Sequence, residues 1–164
     1  EAAARAAVDR AHSAGTLVSF DIADCFVVER FRERLLPWIP GNVDLLFANR
    51  EELQRLTGVA GEDRQVIKAA GRMVPAVVMK RGAGGCIVLT EGQITEHPAV
   101  DVEPRDTTAA GDAFAAGYLY GLMTGRSHAE SAGIANRIAA AIVTVEGCDY
   151  NAIQSSTVLD GAVV

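Results

Sequence analysis

The sequence predicts an α/β domain whose sheet is mostly parallel and turns antiparallel at one end, and three observations carry that expectation. Apolar runs of strand length alternate with amphipathic helical stretches through the first half of the chain, the order that builds βαβ units. The 164 residues are 49% hydrophobic but only 5% aromatic, with 16 glycines and many alanines, which suits helices packed closely on a sheet. Cys86 to Thr90, then Glu91-Gly92, then Gln93 to Thr95 reads strand, turn, strand, the order of a hairpin.

Taken in order, Glu1 to Ala14 is an Ala-rich helical pattern with Gly15 where a C-terminal cap would sit. Thr16 to Phe20 reads as a strand ending at Asp21, and Phe26 to Leu36 as a helix closed by Pro37 and Pro40. Val43 to Ala48 is a second strand, leading directly into Asn49 and a short helix carrying Glu52. Glu62 to Arg72 is helical, and Ala76 to Lys80 is a buried strand whose end meets Arg81-Gly82-Ala83-Gly84-Gly85. Beyond Arg105 come two helical stretches, Ala110 to Met123 and His128 to Val145, separated by Gly125. No repeat, low-complexity segment or interior linker interrupts the chain, so a single domain over 1–164 is expected.

Charge and composition exclude several functions. A net charge of −6 disfavours extended contact with nucleic-acid phosphates, which needs clustered Lys and Arg. Cys25, Cys86 and Cys148 are far apart and lack zinc-site spacing, so reduced, buried thiols and a cytoplasmic setting are expected. His12, His97 and His128 are isolated from one another and from any Cys at ligand spacing. The apolar run after Thr108 contains Asp112 and the one after Ser131 contains Asn136 and Arg137, so neither reads as a membrane span and no membrane partner is expected. No Gly-x-Ser-x-Gly elbow or His-Glu-x-x-His segment is present, which argues against hydrolase chemistry. The chain opens inside a helical pattern with no initiator Met, as the tail of a longer protein would.

The segment Asp106-Thr107-Thr108-Ala109-Ala110-Gly111-Asp112 combines two acids, two hydroxyls and a small-residue turn just before a helical pattern. Free N–H groups at a helix start, reinforced by the helix dipole, bind phosphate or developing negative charge without a basic side chain. Asp112, inside that turn, is placed to take a proton from an attacking hydroxyl. Spacing alone equally allows Asp106 or Thr108 to be an N-cap and Asp112 a first-turn acid that complements the dipole.

Extended through Ala113-Phe114 and Ala116-Gly117, this segment resembles the C-terminal signature of the ribokinase-like (phosphofructokinase-B type) carbohydrate kinases. The resemblance implies the ribokinase-like three-layer α/β/α fold. It also implies Asp112 as catalytic base, with backbone amides of Ala110, Gly111 and Asp112 as an anion hole. Asn49-Arg50-Glu51-Glu52 is similar to the family's Asn-x-x-Glu element, which implies that Asn49 and Glu52 organise phosphate and magnesium; on the residues alone Asn49 is equally an N-cap and Glu52 a solvated helix charge. Lys80 to Gly85 occupies the place of the family's nucleotide loop: Gly82 and Gly85 are then ATP-loop residues, while Lys80 and Arg81 either touch phosphate or face solvent. Asn136 falls where the family approaches the adenine or ribose of ATP. Potassium-activated members bind the ion at positions that correspond here to Asp106, Thr108, Ile142, Val145, Gly147 and Asn151.

The resemblance covers almost the whole chain but only the second half of a typical member. The N-terminal part is missing, and with it most acceptor contacts and the β-sheet lid that often makes a homodimer contact. Asp21-Ile22-Ala23-Asp24-Cys25-Phe26-Val27-Val28-Glu29-Arg30-Phe31-Arg32, with Asp44-Leu45-Leu46-Phe47-Ala48-Asn49 after it, resembles the adenosine-kinase-like branch more than typical ribokinases. The implied activity is ATP-dependent phosphorylation of a hydroxymethyl group on a sugar or nucleoside, with magnesium, and potassium in activated members. Two alternatives stand beside it: a nucleoside kinase specifically, or a nucleotide-binding regulatory domain that keeps the fold without catalysis.

Overall fold

The computed structural model describes residues 2–147 and 149–153; Glu1, Cys148 and residues 154–164 lie outside the described set. The elements run α1 (Ala2–Ser13), β1 (Ser19–Asp21), α2 (Cys25–Trp38), β2 (Leu45–Asn49), α3 (Arg50–Thr57), α4 (Asp63–Ala70), β3 (Ala76–Lys80), β4 (Cys86–Thr90), β5 (Gln93–His97), α5 (Ala110–Met123) and α6 (His128–Val143). Short 3-10 turns occupy Gly82–Gly84 and Tyr150–Ile153.

The five strands form one sheet in the order β1-β2-β3-β4-β5. β1 and β2 pair in parallel, with Ser19 opposite Leu45 and Asp21 opposite Phe47. β2 and β3 are joined through α3 and α4, the kind of helical crossover that parallel neighbours require. β4 and β5 are joined by Glu91 and Gly92, whose φ angles of 52° and 75° suit a tight antiparallel hairpin. The sheet is therefore mixed and mostly parallel. β2, β3 and β4 each bury four consecutive residues, which is why they read as unbroken apolar runs.

The chain divides into two compact units, Glu1–Met79 with Leu89–Ile94, and Lys80–Val88 with Thr95–Val164. The first buries Leu45 to Ala48 of β2 together with Leu53, Leu56, Val66, Ile67 and Ala70 from α3 and α4. In the second, α5 and α6 pack on each other, and Ala113, Ile134, Ile138 and Ile142 form a buried cluster. No helix among the described residues is long and apolar enough to cross a membrane.

Element boundaries depart from the sequence pattern where a side chain or a proline intervenes. β1 begins at Ser19, not Thr16, because the Asp44 carboxylate takes the N–H of Val18 at 2.7 Å while the N–H of Asp44 donates to the carbonyl of Val18 at 2.9 Å. α2 continues two residues past Leu36 with Pro37 inside its last turn, and the N–H of Ile39 closes it on the carbonyl of Leu35. α6 stops at Val143, whose carbonyl accepts from the N–H groups of Arg105 and Asp106.

Candidate active site

α5 begins at Ala110 with Ala109 as its N-cap, and Ala109 adopts the left-handed conformation at φ 59°, ψ 8°. A non-glycine residue held there costs about 1–2 kcal/mol. Neither Asp106 nor Thr108 caps the helix, so that half of the capping alternative fails, while Asp112 does stand as an acid in the first turn of α5. The N–H of Ala110 donates to the carbonyl of Thr107 at 3.2 Å, and that of Ala113 to the carbonyl of Ala109 at 2.9 Å. Gly111 and Asp112, both exposed, keep N–H groups with no backbone acceptor among the described residues. Two of the three amides expected in the anion hole are thus open, while that of Ala110 is engaged. A left-handed residue feeding a helix start turns successive N–H groups toward one concavity, a geometry suited to an anion.

Asp106 is not in the helix but braces the turn before it. One carboxylate oxygen accepts the N–H of Thr108 and the other the N–H of Gly147, each at 2.9 Å. These bonds, those from Thr108 foremost, hold the Asp106 carboxyl below its ordinary value of 3.8. Together with the bonds from Arg105 and Asp106 to Val143, they join the segment before α5 to the end of α6. Asp106, Thr108 and Gly147 are therefore neighbours, and Ile142 and Val145 are linked by a hydrogen bond from the N–H of Val145 to the carbonyl of Ile142 at 3.4 Å. The Asn151 amide donates to Asp149 at 2.7 Å.

The two glycines expected in a nucleotide loop stand in different surroundings. Gly82, at φ 57°, is exposed, with nothing within 4 Å of the point a Cβ would occupy. Gly85, at φ 79°, is buried, and a Cβ there would overlap the backbone of His97, Pro98 and Ala99. Glycine at 85 is required by that close approach. Asn136, 6% exposed on α6, donates its amide to the carbonyl of Pro98 at 3.0 Å and to that of His97 at 3.4 Å. Gly85 and Asn136 thus meet the same stretch of backbone. Cys86, next to both, is buried, and burial pushes its thiol up to about 11; Cys25 is only half-buried, short of the expected burial.

Lys80 and Arg81 also separate. The Arg81 guanidinium donates to the carbonyl of Gly84 at 3.1 Å and lies 3.3 Å from the Glu96 carboxylate. Lys80 ends β3 with its Nζ 3.5 Å from the point a Cβ on Gly111 would occupy, so its ammonium lies beside the start of α5.

In the first unit, Asn49 and Glu52 form a capping box at the start of α3. The Asn49 side-chain oxygen accepts the N–H of Glu52 at 2.9 Å, and Glu52 accepts from the N–H of Asn49 at 2.7 Å and from its side-chain amide at 2.8 Å. Glu52 is only 3% exposed, so the pair fixes the turn at the end of β2 as a rigid unit. Among the described residues no group of three or more His, Cys, Asp or Glu could hold a metal ion.

Sequence reasoning gave no warning of the left-handed Ala109 or of the approach of Lys80 to Gly111. Alanine carries no preference for positive φ, and a pairing across so much sequence leaves no local pattern.

Comparison with known proteins places the chain. A family model described as pfkB family carbohydrate kinase matches residues 1–155. The 2-dehydro-3-deoxygluconokinase of Dickeya dadantii is 33% identical over 63% of this chain and 35% of its own length. The crystal structure of adenosine kinase from Sinorhizobium meliloti superposes with a TM-score of 0.87 at 29% identity, over 98% of this chain and 48% of that one. Fructokinase from Vibrio cholerae O395, solved with fructose, ADP and calcium, gives a TM-score of 0.82 at 29% identity, over 95% and 53%. The fold is that of the ribokinase-like kinases, and the chain spans about half the length of these solved structures and less of the curated relative. With the family model covering all of the described residues, the chain belongs to the pfkB family of carbohydrate kinases.

Proposed function

We propose that the full-length protein transfers the γ-phosphate of ATP to a hydroxymethyl group of a sugar or nucleoside. The observation that carries this reading is the start of α5 in a pfkB-family chain, where Asp112 directly follows Gly111 and both N–H groups lack a backbone acceptor among the described residues. The Asp112 carboxylate accepts the proton of the acceptor hydroxyl as its oxygen bonds to the γ-phosphorus. The bond from that phosphorus to the β,γ-bridging oxygen breaks, and its electron pair leaves with ADP. The amides of Gly111 and Asp112 donate to the oxygens on which charge develops, preorganised by the turn that Asp106 braces.

On this reading the exposed Gly82 lets the nucleotide approach the loop backbone, while Gly85 and Asn136 act by fixing the 97–99 backbone beside it. Magnesium would be held through water by Asn49 and Glu52 and would neutralise phosphate charge. A potassium ion would draw on oxygens of the two segments that Asp106 joins, with Thr108, Ile142, Val145, Gly147 and Asn151 the remaining positions. The fructokinase solved with fructose, ADP and calcium supports the use of a nucleotide with a cation. A nucleoside acceptor is the narrower reading, favoured by the adenosine kinase, which superposes over nearly the whole chain.

The test is ADP release by the full-length protein with ribose, fructose or adenosine, with and without potassium. Release with at least one acceptor is expected. ATP binding without release from any acceptor would favour the non-catalytic, regulatory reading.

A further inference from the structure

Lys80 and Gly111 are far apart in sequence, yet the Lys80 Nζ stands 3.5 Å from where a Gly111 Cβ would lie. The absent side chain leaves the ammonium room beside one of the two open amides. Its neighbour Arg81 reaches the carbonyl of Gly84 and Glu96, so of the two adjacent cations it is Lys80 that lies beside Gly111. An ammonium beside the first turn of a helix opposes the positive end of the helix dipole. Negative charge placed between the ammonium and the amides turns that opposition into attraction from both. The position matters as well: Gly111 adjoins Asp112, the residue assigned to the acceptor hydroxyl, and not Gly82, assigned to the nucleotide loop.

We propose that the Lys80 ammonium stabilises the phosphoryl group in transit, acting on the transition state and not on nucleotide affinity. The inference rests on the kinase reading above and adds a charged group to it. As the acceptor oxygen bonds to the γ-phosphorus and the bridging oxygen departs with ADP, charge spreads over the three equatorial oxygens. Lys80 and the amides of Gly111 and Asp112 then donate to those oxygens together. A lysine is a compact point charge on a flexible stem and can follow the group as it moves.

The experiment compares wild type, Lys80→Met and Lys80→Arg in the full-length protein, using the acceptor identified by ADP release. Calorimetry measures the affinity for ADP alone and for ADP with magnesium, aluminium fluoride and acceptor, which mimics the phosphoryl group in flight. Lys80→Met is expected to bind ADP within about threefold of wild type, which also shows that it folds, and to lose about 10²–10³-fold in both the fluoroaluminate enhancement and kcat. Lys80→Arg should recover part of each loss. An unchanged fluoroaluminate enhancement in Lys80→Met overturns the proposal, as does a loss of ADP affinity as large as the loss for the complex. If wild type turns over and Asp112→Asn does not, while Lys80→Met keeps full rate, the Lys80 inference alone falls. If wild type releases no ADP with any acceptor, the kinase reading falls with it.

Discussion

The start of α5 is held in place by the packing of α5 on α6, and that packing depends on glycine at 121. A Cβ on Gly121 would lie 2.8 Å from both the Cα and the Cβ of Ser131 and 2.5 Å from its Oγ. No rotamer change can move the Ser131 backbone out of the way, so Gly121→Ala should incur the upper part of the usual overpacking penalty of about 1–3 kcal/mol. Replacing glycine by alanine inside a helix returns about 1 kcal/mol. The net result is a loss of about 2 kcal/mol, or about 1 M in urea midpoint for a slope of about 2 kcal/mol/M. Gly133 in α6 provides the internal control. A Cβ there meets only the end of the Arg137 side chain at 3.5 Å, so Gly133→Ala should be stabilising by about 0.5–1 kcal/mol. Adding Ser131→Gly to Gly121→Ala removes the Oγ and Cβ overlaps and should restore part of the loss. Urea denaturation of the three variants reads this out. A Gly121→Ala protein as stable as Gly133→Ala would refute the argument that the two helices touch at backbone distance there.

Two further predictions concern the braces around the site. The Asp106 carboxyl is held below 3.8 in the folded protein by hydrogen bonds to its charged form, so its contribution to stability is complete above that value and is lost as pH falls through the lowered one. Hydrogen exchange at the N–H of Gly147 should show protection at neutral pH that disappears in that acid window, and Asp106→Ala should lose it at every pH; equal protection in the variant at neutral pH would contradict the brace. Asn136→Ala leaves the carbonyls of His97 and Pro98 without their amide donor and should be destabilising by about 1–3 kcal/mol in urea denaturation, whereas a change below about 0.5 kcal/mol would show that the amide does not hold that backbone.

What could be read from the sequence was mostly local. α5 runs from Ala110 to Met123 as its pattern indicated, because the small-residue turn and Gly125 bracket it. The Asn49–Glu52 pair was picked out through its likeness to the family's Asn-x-x-Glu element; the capping box that joins the two, an i, i+3 pattern, was not read from the sequence, and Glu52 is buried where a solvated helix charge was the alternative. Its geometry, with Glu52 buried against Asn49, also gives the pair a structural task that stands whatever part it takes in binding phosphate or magnesium. Contacts across sequence were not legible. The bond from Asp44 to Val18 that delays β1, the amide of Asn136 on Pro98, and the approach of Lys80 to Gly111 join residues that share no periodicity. Pro37 shows a different limit: a proline in the last turn leaves room for the helix to finish, so its place within the pattern mattered more than its presence. The left-handed Ala109 is the least legible feature of all, since the residue able to adopt that conformation without strain, Gly111, stands two positions later.

The central claim is that the carboxylate of Asp112, at the open start of α5, takes the acceptor proton. The most direct measurement pairs calorimetry of ATP binding with ADP release for wild type and Asp112→Asn in the full-length protein. The account predicts ATP affinity close to wild type with turnover reduced about 10²- to 10⁴-fold. An Asp112→Asn protein that binds ATP and keeps full turnover would contradict it.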